Sequence, residues 1–439
     1  MDTPICDFVR RYAESNTLRL HMPGHKGVGF LGVERLDLTE IQGADSLYEA
    51  DGIIARSEEN ATALFGCPTY YATEGSSQCI RAMLYLALVQ VKRLGKKPLI
   101  AAGRNAHKTF LSGAALLDWE VAWIYPKGGS YLSCDITAAE LDAFLAQKQP
   151  AAVYLTSPDY LGNVAPIREI AAVCHRHGAL LLVDNAHGAY LRFLEQPRHP
   201  MDLGADLCCD SAHKTLPVLT GGAYLHTGSG FSKAQVKNAL ALFGSTSPSY
   251  LILQSLDGAN AYLDSYVSRL KAFLPAVTAL KTRLERHGYT LYGTEPLKIT
   301  IQAKPYGYLG TELADSLRKM GIECEFSDPD FLVLMVTPET GMDGLAQLEQ
   351  ALISLPPKPP IDHAPPALQI GKRVMSIREA VLSPWEDVPV AKCVGRILAA
   401  ASVGCPPAVP ILVCGERIDE HAQQCFGYYG IERCCVVME

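Results

Sequence analysis

Residues 179–183 read Ala-Leu-Leu-Leu-Val and run into Asp184, an apolar stretch with no alternation of polar and apolar positions. A strand of that pattern is stable only when both faces are covered, the situation inside a parallel sheet flanked by helices. The flanking sequence agrees. Pro166 opens a stretch with Ile167, Ile170, Ala171 and Cys174 on one helical face, closed by Gly178. Further upstream, Ser76 or Ser77 is placed to cap a helix carrying Ile80, Met83, Leu84, Ala87, Leu88 and Val91, stopped by Gly95 and Pro98. Short apolar strands are expected at 99–102 and 151–156. This alternation predicts an α/β fold with a mostly parallel central sheet. Beyond residue 270 the pattern changes to strands at 297–303 and 331–337 and helices at 311–320 and 345–355, a smaller α+β unit. The expected organisation is an arm at 1–45, a large domain at 46–270 and a C-terminal domain at 271–439. A Pro-rich link is expected near 355–366, and a late apolar strand at 409–413.

Composition narrows the partners. The chain of 439 residues is 48% hydrophobic and 19% charged, with a net charge of −7 and no basic run. Nucleic acid and anionic membranes are therefore not expected as partners, and no apolar run reaches the ~20 residues that span a bilayer. Met1-Asp2-Thr3-Pro4 begins no charged and apolar leader, and the fourteen cysteines include no C-x-x-C pair, which together predict free thiols in a cytoplasmic protein. His21 and His25 have metal-ligand spacing, but Pro23 and Gly24 between them oppose a helix, so no metal site is expected.

Parallel sheets place ligands beyond the carboxyl ends of their strands. Polar groups expected there are Gly75-Ser76-Ser77, His107, Asp184 and the run Ser211-Ala212-His213-Lys214. A helix opening at Gly75-Ser76-Ser77 offers amides and hydroxyls to a phosphate, although the same residues also serve as a plain cap. Ala-His-Lys-Thr occurs at 106–109 and again at 212–215. Lys214 is the stronger Schiff-base candidate, because an apolar strand precedes it and Asp184 lies one unit upstream; Lys108 reads as a surface charge. A reactive lysine paired with a carboxylate that keeps a pyridine nitrogen protonated is what pyridoxal 5'-phosphate requires of a protein. His107 could stack on such a ring or be a hydrogen-bonded loop residue. His187 could donate to a phenolic oxygen or fix the turn at Gly188. No Walker sequence, no G-x-G-x-x-G in a strand-to-helix context and no G-x-S-x-G is present.

Several segments resemble, in order, the fold-type I Orn/Lys/Arg decarboxylases in their short bacterial form. They are Leu20-His21-Met22-Pro23-Gly24-His25-Lys26, Arg104-Asn105-Ala106-His107-Lys108, Val183-Asp184-Asn185-Ala186-His187-Gly188, Ser211-Ala212-His213-Lys214-Thr215-Leu216-Pro217, Thr246-Ser247-Pro248-Ser249-Tyr250, and Pro406-Pro407-Ala408-Val409-Pro410 with Gly415-Glu416. The resemblance implies the aspartate aminotransferase fold and an α-decarboxylase that takes arginine, lysine or ornithine to an amine and carbon dioxide. It implies catalytic roles for Lys214, Asp184 and His107, with His107 and Ala186 on opposite faces of the cofactor ring. Gly75, Ser76, Ser77, Ser211 and His213 would hold the phosphate, with His187 beside the ring. Ser245 or Thr246 would reach the phosphate of a neighbouring subunit, in a homodimer or higher homo-oligomer with shared active sites. Glu74, Asn185, Tyr190 and Gly221 depart from the residues common in the family, and substrate identity is where those departures matter. Glu416, Glu49 and Asp51 are candidates to meet the distal cation of the substrate. The rival readings are an aminotransferase or carbon–sulfur lyase using Arg373, Arg378 or Arg396 as a carboxylate clamp, and a non-catalytic cofactor-binding relative.

Overall fold

The computed structural model describes residues 1–126, 130–367, 369–400 and 409–438, so Pro406, Pro407 and Ala408 of the last motif lie outside the described residues. Seven strands carry the α/β part: β1 (Thr69–Ala72), β2 (Leu99–Gly103), β3 (Glu120–Ile124), β4 (Ala152–Thr156), β5 (Leu180–Asp184), β6 (Leu207–Asp210) and β7 (Ala223–Thr227). The chain divides into two compact units, Met1–Lys96 with Ile167–Arg269, and Lys97–Pro166 with Leu270–Glu439.

In the first unit the strands lie in the order β1-β7-β6-β5. β5 and β6 are parallel, with Asp184 opposite Cys209, while β7 is antiparallel to both β6 and β1. The apolar run that forms β5 is covered as its pattern demands, with Leu181, Leu182 and Val183 all at 0% exposure. Burying side chains of this size contributes about 1.5–3 kcal/mol each. Helix Gly75–Arg93 packs Cys79, Met83, Leu84 and Ala87 inward. Its N-cap is Glu74, without a side-chain capping bond, rather than Ser76 or Ser77. The reason is local: Gly75 takes φ +71° and gives its amide to Gly221 O (2.7 Å), so the helix starts earlier and both serines fall in its first turn.

The N-terminal arm is pinned by one carboxylate. Helix Pro4–Glu14 buries Ile5 and Val9, and the amides of Ile5 (3.0 Å) and Cys6 (2.9 Å) donate to Asp257 Oδ2. Ser57 Oγ donates to Asp257 Oδ1 (2.5 Å), and Asn260 Nδ2 donates to Tyr71 OH (2.8 Å) beside it. Asp257 is an acceptor for helix-start amides supplied from another helix, Tyr250–His287.

In the second unit β4, β2 and β3 are parallel in that order. The smaller α+β part has β8 (Thr290–Tyr292), β9 (Lys298–Gln302), β10 (Phe326–Ser327) and β11 (Phe331–Met335) in the antiparallel order β10-β11-β9-β8. Helices Gly310–Lys319 and Gly341–Ser354 occur with them. The strand expected at 409–413 is absent: the next regular pairing is Glu416–Arg417 with Lys372–Arg373. Pro410 lacks an amide donor, and the carbonyls of Pro410 and Ile411 instead accept from Arg104 Nη1 and Nη2, each at 2.8 Å. The residues remain buried, with Ile411 at 5% and Val413 at 1%. Among the described residues no helix is long and apolar enough to cross a membrane.

Replacing Asp257 with Ala leaves two helix-start amides and the Ser57 hydroxyl without their buried acceptor. Unfolding stability should fall by about 2–4 kcal/mol, read from the urea midpoint at unchanged slope. Limited proteolysis should then cut first within residues 1–45.

Candidate active site

Two neighbouring parallel strands bring the central residues together. Asp184 ends β5 and Asp210 ends β6, and the chain passes from Asp210 through Ser211 into the short helix Ala212–Thr215, which carries Lys214. The carboxyl ends of both strands therefore face one side of the first unit, as the sheet geometry requires. Asp184 is 2% exposed; its Oδ1 accepts from Ala186 N (3.2 Å) and lies 3.7 Å from Cys209 Sγ. Lys214 is half-buried, with Nζ 3.0 Å from His187 Nε2. That lysine–histidine contact was not foreseen from sequence, where His187 was weighed only as a ring or turn residue.

The phosphate candidates converge on the same region. Ser211 Oγ donates to Ser76 Oγ (2.8 Å), joining the segment before Lys214 to the first turn of helix Gly75–Arg93. A Cβ added at Gly75 would meet nothing within 4 Å, so the backbone there borders open space. His213 Nδ1 lies 3.0 Å from Gly222 O and donates to it, which leaves Nε2 able to donate to an anion only when the ring is an imidazolium. Ser77 is half-buried in the same helical turn, and Ala186 is half-buried between Asp184 and His187. Thr246 is exposed on a turn whose neighbour Ser245 gives its amide to Glu74 Oε1.

His107 belongs to the second unit, where it is the N-cap of helix Lys108–Leu117. Its Nδ1 accepts from Thr109 N (3.1 Å), so its ring is oriented by a cap; Lys108 is exposed. In the same unit Glu416 is not a surface acid. It is 3% exposed, its Oε2 accepts from Val413 N (2.8 Å), and Arg104 Nη2 lies 3.7 Å away, so its charge is already met within its own unit. Glu49 and Asp51 are exposed. Arg378 donates to Ala115 O and Leu116 O at 2.8 and 3.0 Å, and Arg396 pairs with Glu386 at 2.7 Å, so both are engaged locally.

The positions that depart from the family differ in kind. Gly221 has φ +99°, and a Cβ there would lie 2.8 Å from Thr73 O, so this turn admits only glycine without displacement. Asn185 and Tyr190 are at 0% exposure. Asn185 Nδ2 donates to Asp210 Oδ1 (2.6 Å), and Asp210 Oδ2 accepts from His199 Nε2 and His226 Nε2, each at 3.1 Å. Sequence reading missed this cluster. Asp210 stands at the end of an apolar strand as Asp184 does, which was a usable signal; His199 and His226 had none, being joined to it only by folding. No disulfide is formed among the described cysteines, and burial pushes the Cys67 and Cys174 thiols up to about 12.

Comparison with known proteins places this arrangement. Residues 3–288 match the Orn/Lys/Arg decarboxylase major domain and residues 371–433 the corresponding C-terminal domain. An arginine decarboxylase of Halalkalibacterium halodurans is 30% identical over 95% of this chain and 91% of its own length. One of Bacillus subtilis is 28% identical over 95% and 92%. The lysine decarboxylase LdcF of Francisella novicida superposes with a TM-score of 0.80 at 15% identity, covering 99% of this chain and 81% of that one. Such decarboxylases work with pyridoxal phosphate. The donor set fits that group: a lysine amine, a buried carboxylate, and serine hydroxyls at a helix start bordering open space. The chain belongs to the Orn/Lys/Arg decarboxylase family and is a pyridoxal-phosphate-dependent amino acid decarboxylase.

Proposed function

We propose that this enzyme removes the α-carboxylate of a basic amino acid, arginine, lysine or ornithine, and releases the di- or polyamine. The observation that carries the reading is the delivery of Asp184 and Lys214 from the carboxyl ends of adjacent parallel strands, with Ser211 tied to Ser76 at a helix start. Bound pyridoxal phosphate supplies the electron sink for the pair left when carbon dioxide departs. Lys214 Nζ is the amine that holds the cofactor and yields to the substrate, and His187 Nε2, 3.0 Å away, is in reach to accept or return its proton. Asp184 holds a proton on the pyridine nitrogen; at 2% exposure its negative charge calls for a cationic partner. Ser76, Ser77, Ser211 and imidazolium His213 bind the phosphate. Ala186 would face the cofactor ring, and within the second unit the cap to Thr109 holds the ring of His107 in orientation.

The exposed Thr246 turn is proposed to reach the phosphate of a neighbouring subunit, making a symmetric homodimer in the cytoplasm the smallest active unit. Glu416, a candidate for the distal cation of the substrate, is buried 3.7 Å from Arg104 within its own unit.

Carbon dioxide release should be measured with arginine, lysine and ornithine, and with neutral amino acids as controls. Lys214→Ala should abolish gas release and the visible absorbance of the bound cofactor. Asp184→Asn should keep the cofactor and lose about a hundredfold in kcat. Keto-acid formation without gas release would sink the reading. Independently, Gly221→Gln places a side chain on a left-handed residue against Thr73 O, straining the turn that receives the Gly75 amide. Cofactor titration should show a Kd raised about tenfold, from roughly 1–3 kcal/mol of backbone strain.

A further inference from the structure

Asp210 is a carboxylate with no exposure, and its polar neighbours His199, His226, Asn185 and Cys208 are all at 0% as well. Burial alone would push its carboxyl up, but the imidazoles of His199 and His226 outweigh that and hold it well below the ordinary range, so the group is an anion. His199 Nδ1 accepts from Met201 N (3.4 Å), which assigns the proton of that ring to Nε2, the atom facing Asp210 Oδ2. His226 Nε2 faces Asp210 Oδ2 at 3.1 Å, its Nδ1 lies 2.9 Å from Thr69 Oγ1, and burial lowers its pKa. With Oδ2 accepting from two imidazoles, Oδ1 can only accept as well, so the atom of Asn185 that lies 2.6 Å from it must be the amide nitrogen.

This cluster has ligand-type atoms of His199, Cys208 and Asp210 within 4.8 Å of one another. Hydrogen bonds account for that spacing, since both Asp210 oxygens accept donors and the Cys208 thiol lies 3.9 Å from Asp210 Oδ1.

Asn185 is the first residue of the turn that carries Ala186 and His187. Its amide donates to Cys209 O (2.9 Å), its carbonyl accepts from Gly188 N (2.8 Å), and a Cβ at Gly188 would lie 2.0 Å from its Oδ1. The turn is therefore clamped to β6 through both backbone and side chain, one residue before Ser211. At its far side His187 meets Lys214. An acid at 185 would bring a second carboxylate to within hydrogen-bond distance of Asp210 where no solvent screens the repulsion. Here the amide supplies the donor that the buried Asp210 carboxylate accepts.

We infer that Asn185 and Asp210 form a matched positioning pair that sets the His187 turn against Lys214, so that the neutral amide and the carboxylate can be exchanged between the two positions but neither can be changed alone. The inference rests on the proposed cofactor role of Lys214 and names two residues outside the reacting groups.

The test compares Asn185→Asp, Asp210→Asn, the double exchange, and Asn185→Ser, which removes the amide without adding charge. Each is titrated with pyridoxal phosphate and its visible spectrum recorded, with thermal unfolding as a fold check. Each single change should raise the Kd about tenfold and shift the absorbance band, a size expected for coupled contacting residues. The double exchange should return affinity and band to within about twofold of the parent. Parent-like affinity and spectrum in a folded Asn185→Asp or Asn185→Ser, or a double exchange no better than its worse single, would overturn the pairing. If Asp210→Asn does not fold, the two Asn185 variants decide. A parent enzyme that binds the cofactor but releases no gas would refute the proposed function, while the affinity and spectral contrasts would still judge the pair.

Discussion

Parallel pairing of β5 with β6 is the constraint on which the site depends. Two parallel strands end on the same side, so a carboxylate at the end of one and a lysine just after the other are delivered to one region without any specific attraction between them. Register does the rest: Asp184 lies opposite Cys209, and the next residue pair, Asn185 and Asp210, closes the strands by a side-chain hydrogen bond. A slip of one residue would turn Asp184 to the other face of the sheet and set Asn185 against a neighbour it cannot serve. The core residues that hold this register, Leu181, Leu182 and Val183, belong to the unalternating apolar run 179–183.

The second organising feature is the exchange between Gly75 and Gly221. A left-handed residue on each side lets the chain before helix Gly75–Arg93 approach the chain before β7 closely enough for a 2.7 Å backbone hydrogen bond. That contact fixes where the helix begins and places Ser76 beside Ser211. β7 runs antiparallel within the set, so the Gly221-Gly222 turn follows the lysine helix directly and returns the chain toward β1. Ser211, His213 and Lys214 thus lie in one short stretch, residues 211–222, which also receives the Gly75 amide at Gly221 O.

Much of this was legible because it depends on local pattern. An unalternating apolar run announces a covered strand, and polar residues at the ends of such runs announce a ligand side; Asp184, Lys214 and Gly75-Ser76 are candidates on that ground, and Asp184 and Lys214 do lie at or just after the ends of adjacent parallel strands. What failed was whatever depended on side-chain partners distant in sequence. The stretch at 409–413 is as apolar as a strand, yet its carbonyls are taken by Arg104, about three hundred residues earlier. The burial of Glu416 beside Arg104 is likewise a pairing that no local pattern announces. His199 and His226 carry no local signature at all, and only the fold brings them to Asp210.

The Asp210 cluster also bears on how a buried anion can be tolerated beneath a site that handles charge. An unpaired carboxylate at 0% exposure would cost several kcal/mol and would escape by taking up a proton. Here Asn185, His199 and His226, from three different segments, surround the carboxylate, and the Cys208 thiol lies 3.9 Å from it. The anion is then a fixed acceptor rather than a titrating group, and a fixed acceptor orients its donors. Asn185 is the donor that leads into the site, so rigidity in the core passes to the His187 turn through its side-chain amide as well as its backbone N–H. Exchanging that amide for an acid changes the core's charge balance before it touches the chemistry.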